Sequence, residues 1–183
     1  MIVGITGTLG AGKGTIVEYL KTKDFTHYSV RSFIVEEIKK RGLPINRDTM
    51  VLIGNKLREA NYPSYIIEEI YKKAKLENSN TVIESLRTIG EVEALREKKD
   101  FYLFSVDADI EKRYDRILKR KIESDFVSFE EFVSNEKREM ENKDLFKQNL
   151  KRCIEMADFK FENNGTIEDL YKGVEKILIE LDN

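Results

Sequence analysis

The sequence has little cysteine and histidine and no long apolar run, and each shortage excludes a class of protein. Among 183 residues there is one cysteine and one histidine. Cys153 therefore has no internal disulfide partner, which favours a reducing cytoplasm, and His27 has no metal-binding neighbours in sequence. No apolar run approaches the roughly 18 residues that a membrane-spanning helix needs. No basic region precedes the apolar start, so we expect neither a signal peptide nor a membrane partner.

An excess of basic residues is also missing. Lys and Arg total 32 and Asp and Glu total 34, giving a net charge of -2. A general nucleic-acid binder would show a basic excess, so we expect no nucleic-acid partner. No repeat, low-complexity tract or Pro/Gly-rich linker divides the chain, so we expect one domain over residues 1–183.

Apolar, β-branched segments alternate with helical patterns along the chain. The strand candidates are residues 1–6, Phe25–Val30, Thr81–Ile83, Phe101–Val106 and Asp158–Phe161. The helix candidates are Thr15–Lys21, Ser32–Arg41, Ile110–Lys121 and Ile167–Leu181. This alternation predicts an α/β fold with a doubly wound, parallel five-stranded sheet. Two segments interrupt this alternation. One is residues 31–80, with two or three predicted helices, and the other is residues 121–157, which are charged and helical.

A glycine-rich loop, Gly7-Thr-Leu-Gly-Ala-Gly-Lys-Gly-Thr15, follows the first strand and opens a helix. This is the context that a G-x-x-x-x-G-K phosphate loop requires, rather than a glycine turn that binds nothing. Backbone N–H groups converge on phosphate, the helix N-terminus adds positive potential, and Lys13 supplies a full charge. We predict ATP contacts at Gly7, Leu9, Gly10, Ala11, Gly12, Lys13, Gly14 and Thr15.

The hydroxyl and the glycines of the loop indicate which kind of P-loop protein it resembles. Position 14 is Gly, so Thr15 is the first hydroxyl that can meet Mg²⁺, which would be held largely through water and phosphate oxygens. Gly-x-Gly-Lys-Gly-Thr resembles adenylate kinases and their relatives. A GTPase would need Asn-Lys-x-Asp, and both Asn-Lys strings, at Asn55 and Asn142, fail at the last position.

The resemblance to the nucleoside monophosphate kinase family continues at Val82-Ile-Glu-Ser-Leu-Arg-Thr88. In the family, an Arg-Thr pair after an acidic strand end binds the phosphate of the acceptor nucleotide, which implies that role for Arg87. Glu84 falls near the metal-associated Asp of the family, although it is Glu and the spacing is one residue shorter. A solvated strand end is the alternative for Glu84.

The strand and helix at 104–120 are similar to the family elements that lead into the lid. The resemblance implies that Arg116 packs on adenine and that Arg120 reaches the ATP phosphates. An i, i+4 pair shares one helix face, so both can serve one ligand, although a solvated basic face has the same pattern.

The closing segment Ala157–Thr166 resembles the adenine-closing loop of dephospho-CoA kinases. That resemblance implies adenine contacts from Asn164 and Gly165. A simple turn with Thr166 as the N-cap of the last helix is the alternative.

The two interrupting segments correspond to the family's acceptor-binding section and lid. Arg31 and Arg58 are acceptor candidates within residues 31–80, and Arg47 and Asn55 belong to the same section. In residues 121–157, Ser128 and Glu131 form a predicted capping box at a helix start. Arg138 on that helix is implied to close on the transferring phosphate, and an ion pair with Glu136 or Glu139 is the alternative.

The resemblance covers nearly the whole chain and is nearest to a prokaryotic family of adenylate-kinase-like P-loop proteins related to dephospho-CoA kinase. It implies an ATP- and Mg²⁺-dependent kinase that transfers the γ-phosphoryl group to a small nucleotide-like acceptor. Lys13, Arg87, Arg120 and Arg138 are its implied catalytic residues. Dephospho-CoA kinase and an ATP-dependent switch or regulatory binding module without an acceptor are the alternatives. The oligomeric state stays open.

Overall fold

The computed structural model describes residues 1–77, 79–120 and 127–182. Within these residues the strands are β1 (Ile2–Gly7), β2 (Thr26–Ser29), β3 (Thr81–Glu84), β4 (Phe101–Asp107) and β5 (Phe159–Glu162). The helices are α1 (Lys13–Lys21), α2 (Val30–Lys40), α3 (Arg47–Glu59), α4 (Tyr65–Glu77), α5 (Ile89–Arg96), α6 (Ile110–Lys119), α7 (Phe129–Met140), α8 (Leu150–Glu155) and α9 (Ile167–Leu181).

The strands form one parallel sheet in the order β2-β3-β1-β4-β5. The predicted doubly wound five-stranded sheet is therefore confirmed, and each strand ends within one residue of its predicted bounds. From β1 the chain crosses toward β2, whereas from β4 it crosses toward β5 on the other side. In such sheets, ligands bind in the crevice beyond the carboxyl ends of the strands where the direction reverses.

Alternate residues of the central strands face two separate apolar layers, because side chains in a strand point to opposite faces. Val3, Ile5 and Phe104 pack with apolar residues of α1 and α9. Ile83 and Leu103 pack on the other face with apolar residues of α2, α3, α4 and α5. Both faces of the sheet are thereby covered, which is why the central strands β1, β3 and β4 are mostly apolar and buried, whereas the edge strands β2 and β5 carry polar residues.

Cys153 belongs to the second of these layers. It lies on α8 as a fully buried free thiol and packs there as a small apolar residue. Burial raises the pKa of this thiol to about 12, so it has no nucleophilic thiolate at neutral pH.

The sequence analysis missed one helix, and α1 and α2 each begin two residues earlier than it predicted. Helix α5 was not predicted; its eight residues bury only Glu91, Val92 and Leu95, too few to show a helical period. Residues 31–80 hold three helices, and the capping box of Ser128 and Glu131 opens α7. Helix α6 ends at Lys119, and Lys121 of its predicted span lies outside the described residues.

Within residues 1–77, 79–120 and 127–182, every helix falls short of a membrane span in length or in apolar character.

Candidate active site

The connection between β1 and α1 curls tightly because its glycines adopt positive φ angles, 136° at Gly7, 82° at Gly10 and 112° at Gly12. L-residues with a Cβ rarely adopt these angles. A Cβ on Gly10 would lie 2.4 Å from the carbonyl oxygen of Arg113, and one on Gly12 would lie 2.2 Å from Nδ2 of Asn163. The loop is therefore packed between α6 and the β5–α9 connection, with no room for larger residues.

Two side chains that the sequence analysis did not identify hold this loop in place. Asn163 is buried and donates through Nδ2 to the carbonyl oxygen of Ala11 at 2.8 Å. Arg113 is buried, donates to the carbonyl oxygen of Leu9 at 3.4 Å, and is held by the carboxylate of Glu136. Both lie beside residues that the resemblance did identify, but their type alone gives no signal of a role.

Lys13 opens α1 with its side chain turned back over the loop. Its Nζ donates to the carbonyl oxygens of Gly7 at 2.8 Å and Thr8 at 2.7 Å. Burial of the ammonium, together with the positive charges of Arg87 and Arg120, lowers the pKa of Lys13 to about 7. An anion placed among these three side chains would favour the charged form of Lys13.

Glu84 ends β3 beside the loop, with its side chain 20% exposed and 3.6 Å from Nε2 of His27. Burial works to raise the pKa of its carboxyl, but His27, a hydrogen bond from Ser29 and the charge of Lys13 outweigh burial and lower it. Glu84 is thus an ionised, mostly buried carboxylate, which differs from the solvated strand end given as its alternative.

The metal predictions for Thr15 and Glu84 rest on donor chemistry. The hydroxyl-bearing Thr15 and the carboxylate of Glu84 line the same cavity, and such oxygen donors suit a hard cation. Residues 1–77, 79–120 and 127–182 contain no group of three His, Cys, Asp or Glu residues that could hold a metal alone. A cation at this place would therefore need phosphate oxygens as further ligands.

One carboxylate that the sequence analysis assigned no role in the site joins three elements around Arg87, the predicted acceptor contact. Glu139 of α7 is 4% exposed. Its Oε1 accepts from Nε of Arg47 at 2.9 Å, and its Oε2 accepts from Arg87. Arg87 also donates to Oε1 of Gln148 at 3.4 Å. Arg47 opens α3 and Arg87 lies between β3 and α5, so the carboxylate joins α7 to both.

Arg58, predicted to bind the acceptor, forms a buried ion pair. Its Nη2 lies 2.6 Å from Oε1 of Glu91, and the two side chains are 2% and 0% exposed. Oε2 of Glu91 accepts from the backbone N–H groups of Arg87 and Thr88 at 3.1 and 3.2 Å. The Nε of Arg58 is buried without a hydrogen-bond partner. This pair therefore fixes the backbone of Arg87 beside the cavity.

A cavity of about 580 Å³ lies between these groups at the carboxyl ends of the strands. The predicted site residues that line it are Leu9, Gly10, Gly12, Lys13, Gly14, Thr15, Arg31, Arg58, Glu84, Arg87 and Arg120. Arg47, Glu139 and Gln148 line it as well. Six of the lining side chains are Lys or Arg and three are Glu, although the whole chain carries a net charge of -2. The cavity thus favours anionic ligands.

The remaining predicted residues lie outside the lining of this cavity. Gly7 and Ala11 form the buried back of the loop. Arg116 donates to the carbonyl oxygen of Asn163 at 2.8 Å, and its Nη1 is buried without a hydrogen-bond partner. Asn164 accepts from the backbone N–H of Asp109 at 2.8 Å, just before the capping box that opens α9. The adenine contacts of Arg116, Asn164 and Gly165 stay predictions.

Arg138 also lies outside the cavity lining. It donates to Asp48 of α3 at 2.9 Å and to Asn135 at 3.1 Å. The alternative ion pair with Glu136 or Glu139 is wrong, because those carboxylates are bound to other arginines. Its proposed contact with the transferring phosphate stays a prediction.

Relatives of the chain match it along most of its length. A protein-family model described as an AAA domain matches residues 3–144. UPF0200 protein MJ1399 of Methanocaldococcus jannaschii is 30% identical over 186 residues, which cover 100% of this chain and 91% of that one. A UPF0200/UPF0201 protein of Archaeoglobus fulgidus is 27% identical, and the chain spans 55% of that longer protein.

Solved structures share the fold at low sequence identity. TT1252 from Thermus thermophilus superposes with a TM-score of 0.68 at 18% identity, covering 99% of this chain and 97% of that one. A gluconokinase from Sinorhizobium meliloti 1021 gives 0.58 at 11%, covering 98% and 94%. Dephospho-CoA kinase from Campylobacter jejuni gives 0.51 at 15%, covering 98% and 96%. This likeness shows an α/β P-loop kinase fold.

Proposed function

Since this chain belongs to the UPF0200 family and carries the AAA domain of P-loop proteins, we propose that it is an ATP-dependent phosphotransferase. The acceptor proposed is a nucleotide, so the enzyme is nucleoside monophosphate kinase-like. One observation carries this proposal: Lys13 on the phosphate loop shares a single cavity with Arg87 and Arg120, which come from distant parts of the chain. Positioned positive charge is the main requirement of phosphoryl transfer.

The proposed mechanism is direct, in-line transfer. The backbone N–H groups of residues 10–15 hold the phosphates of ATP, and Lys13 exchanges the carbonyl oxygens of Gly7 and Thr8 for phosphate oxygens. Arg120 neutralises charge on the moving phosphoryl group, while Arg87 and Arg31 hold the acceptor's phosphate. No covalent intermediate is needed.

Mg²⁺ fits the oxygen donors on the nucleotide side. The hydroxyl of Thr15 and the carboxylate of Glu84 would hold it together with phosphate oxygens, and it would neutralise phosphate charge. Glu84 is ionised at neutral pH because its pKa is below the usual value. The nucleotide is therefore proposed to enter as ATP·Mg²⁺.

A second candidate is transfer to a hydroxyl, as on dephospho-CoA. Glu84 lines the cavity as a carboxylate, and in this candidate it would accept the proton of the attacking hydroxyl instead of contacting the metal. The shared fold with a dephospho-CoA kinase supports the same candidate at the level of fold. An ATP-dependent switch without an acceptor is the remaining alternative.

The test is ADP formation from ATP·Mg²⁺ with a panel of nucleoside monophosphates, deoxynucleoside monophosphates and dephospho-CoA. Lys13→Ala is the control for contaminating activity. We expect one nucleoside monophosphate to stimulate turnover strongly, with the phosphorylated product identified by mass. Stimulation by dephospho-CoA alone would select the hydroxyl acceptor, and acceptor-independent turnover would favour the switch.

A further inference from the structure

The acceptor side of the cavity already contains an anion supplied by the protein. The carboxylate of Glu139 is 4% exposed and lies between Arg47 and Arg87, with one oxygen on each guanidinium. Paired arginines around one carboxylate are the arrangement that also binds a phosphate or an external carboxylate. All three residues line the cavity.

We propose that Glu139 occupies the place of the acceptor's anionic group, so that the acceptor must displace it from Arg47 and Arg87. The proposal rests on the proposed function, since it concerns the acceptor pocket of that enzyme. It makes Glu139 a specificity-determining residue on the lid-like segment.

The charge of the acceptor's anionic group determines whether it can displace Glu139. Two guanidiniums are only half neutralised by the single charge of Glu139. A monoanionic carboxylate brings the same charge as Glu139, so exchanging one for the other gains nothing. A phosphate monoester dianion neutralises both arginines and therefore competes successfully. The pocket thus selects acceptors with a phosphate group over acceptors with a carboxylate.

The position of Glu139 on its helix makes this exchange easy. Helix α7 ends at Met140, so Glu139 lies in the last turn, which can open alone. The part of α7 before this turn stays anchored elsewhere, because Phe132 is 1% exposed among Tyr114 and Phe129, and Glu136 is bound to Arg113. Release of the last turn would also free Arg138 from Asp48, the exposed ion pair next to it.

The experiment titrates inorganic phosphate, a dianion at pH 8, and acetate, a monoanion, into the full chain by calorimetry. Glu139→Gln should bind phosphate roughly 5- to 150-fold more tightly than the wild type, the usual size of such coupling. Its preference for phosphate over acetate should also shrink. The double variant Glu139→Gln/Arg87→Gln should lose the gain in affinity.

Glu130→Gln is the matched control, because Glu130 lies exposed on the same helix and outside the cavity lining, and the change removes the same charge. It should not increase phosphate affinity. Phosphate can also bind at the phosphate loop, where the charge of Glu139 acts on Lys13. Each comparison is therefore repeated in a Lys13→Ala background, in which the difference between Glu139 and Gln reports on the acceptor side. An unchanged affinity in a folded Glu139→Gln, or a gain that survives Arg87→Gln, would overturn the proposal.

A measurement on the wild type covers the case in which Glu139→Gln does not fold. Saturating phosphate should speed hydrogen exchange at residues 137–141 and leave residues 129–133 protected, and unchanged exchange at 137–141 would overturn the proposal. None of these readouts requires turnover. Loss of kinase activity and loss of the phosphate effect are therefore separate results.

Discussion

The two sides of the cavity are built in different ways. On the proposed nucleotide side, one continuous segment, residues 7–15, supplies both backbone groups and Lys13, and glycines with positive φ fix its shape. On the proposed acceptor side, Arg47 and Arg87 come from elements far apart in sequence and are held by Glu139. Local backbone geometry therefore forms one side, whereas buried ion pairs form the other.

This difference predicts different consequences for substitutions on the two sides. A change in the loop alters either the backbone or the charge that meets ATP. A change among the carboxylates of the proposed acceptor side leaves an arginine without its partner, either the buried Arg58 or the mostly buried Arg47 and Arg87, and its first consequence is lost stability.

The largest effect is expected from removing the loop lysine. Lys13→Ala should lower turnover by roughly 10³-fold or more with every acceptor, the scale on which a positioned cation acts in phosphoryl transfer. Arg87→Ala should instead raise KM for the acceptor by about 10- to 150-fold, because it removes a charge-assisted hydrogen bond. Steady-state kinetics with each substrate varied in turn would separate the two. A rise confined to KM for ATP in Arg87→Ala would contradict the division of the cavity.

The next effect concerns the support of the acceptor side. Glu91→Gln should lower the free energy of unfolding by about 3–5 kcal/mol, because it leaves the buried charge of Arg58 without its partner. Glu155→Gln is the matched control, since Glu155 pairs with an arginine, Arg152, and both side chains are exposed, so it should cost less than about 1 kcal/mol. Denaturant unfolding measures both. Equal losses of unfolding free energy in the two variants would mean that the pair of Arg58 and Glu91 does not stabilise the acceptor side more than an exposed ion pair does.

Substituting two nearby glycines of the loop should change the stability of the fold by smaller amounts and in opposite directions. Gly12→Ala should destabilise the fold by about 1–3 kcal/mol, because Gly12 has φ 112° and its Cβ would meet Asn163. Gly14→Ala should stabilise it by up to about 1 kcal/mol, because Gly14 lies within α1 and faces open space. Thermal unfolding of both variants would show the difference. A stable Gly12→Ala would mean that the loop can relax around a Cβ.

The same contrast explains what the sequence could and could not reveal. The sheet and the loop depend on contiguous patterns, β-branched runs and spaced glycines, so their positions were predictable from residues alone. Arg87 and Arg120 were identified only through family resemblance. Glu139 and Glu91 were not assigned roles in the site, because a glutamate on a charged helix has the same local pattern whether it is exposed or buried between arginines. Long-range packing decides that outcome, and it leaves no local signal.

The smallest predicted effect is the uptake of less than one proton per protein molecule when the nucleotide binds. The pKa of Lys13 is about 7, so at pH 8 most of the free protein carries it neutral. ATP phosphates should raise this pKa, and binding at pH 8 should take up a proton. Calorimetry in two buffers of different ionisation enthalpy measures that uptake.

The dependence on pH gives the sign of this effect and its control. Below pH 6 Lys13 is already protonated in the free protein, so the uptake should vanish there, and Lys13→Met should show none that depends on this group. Unfolded lysine titrates near pH 10.4, so between about pH 7 and 10 the unfolded state binds more protons. This one group therefore makes the ATP-free protein more stable as pH rises through that range. Equal proton uptake at pH 6 and pH 8 would mean that burial and the charges of Arg87 and Arg120 do not keep Lys13 neutral at pH 8.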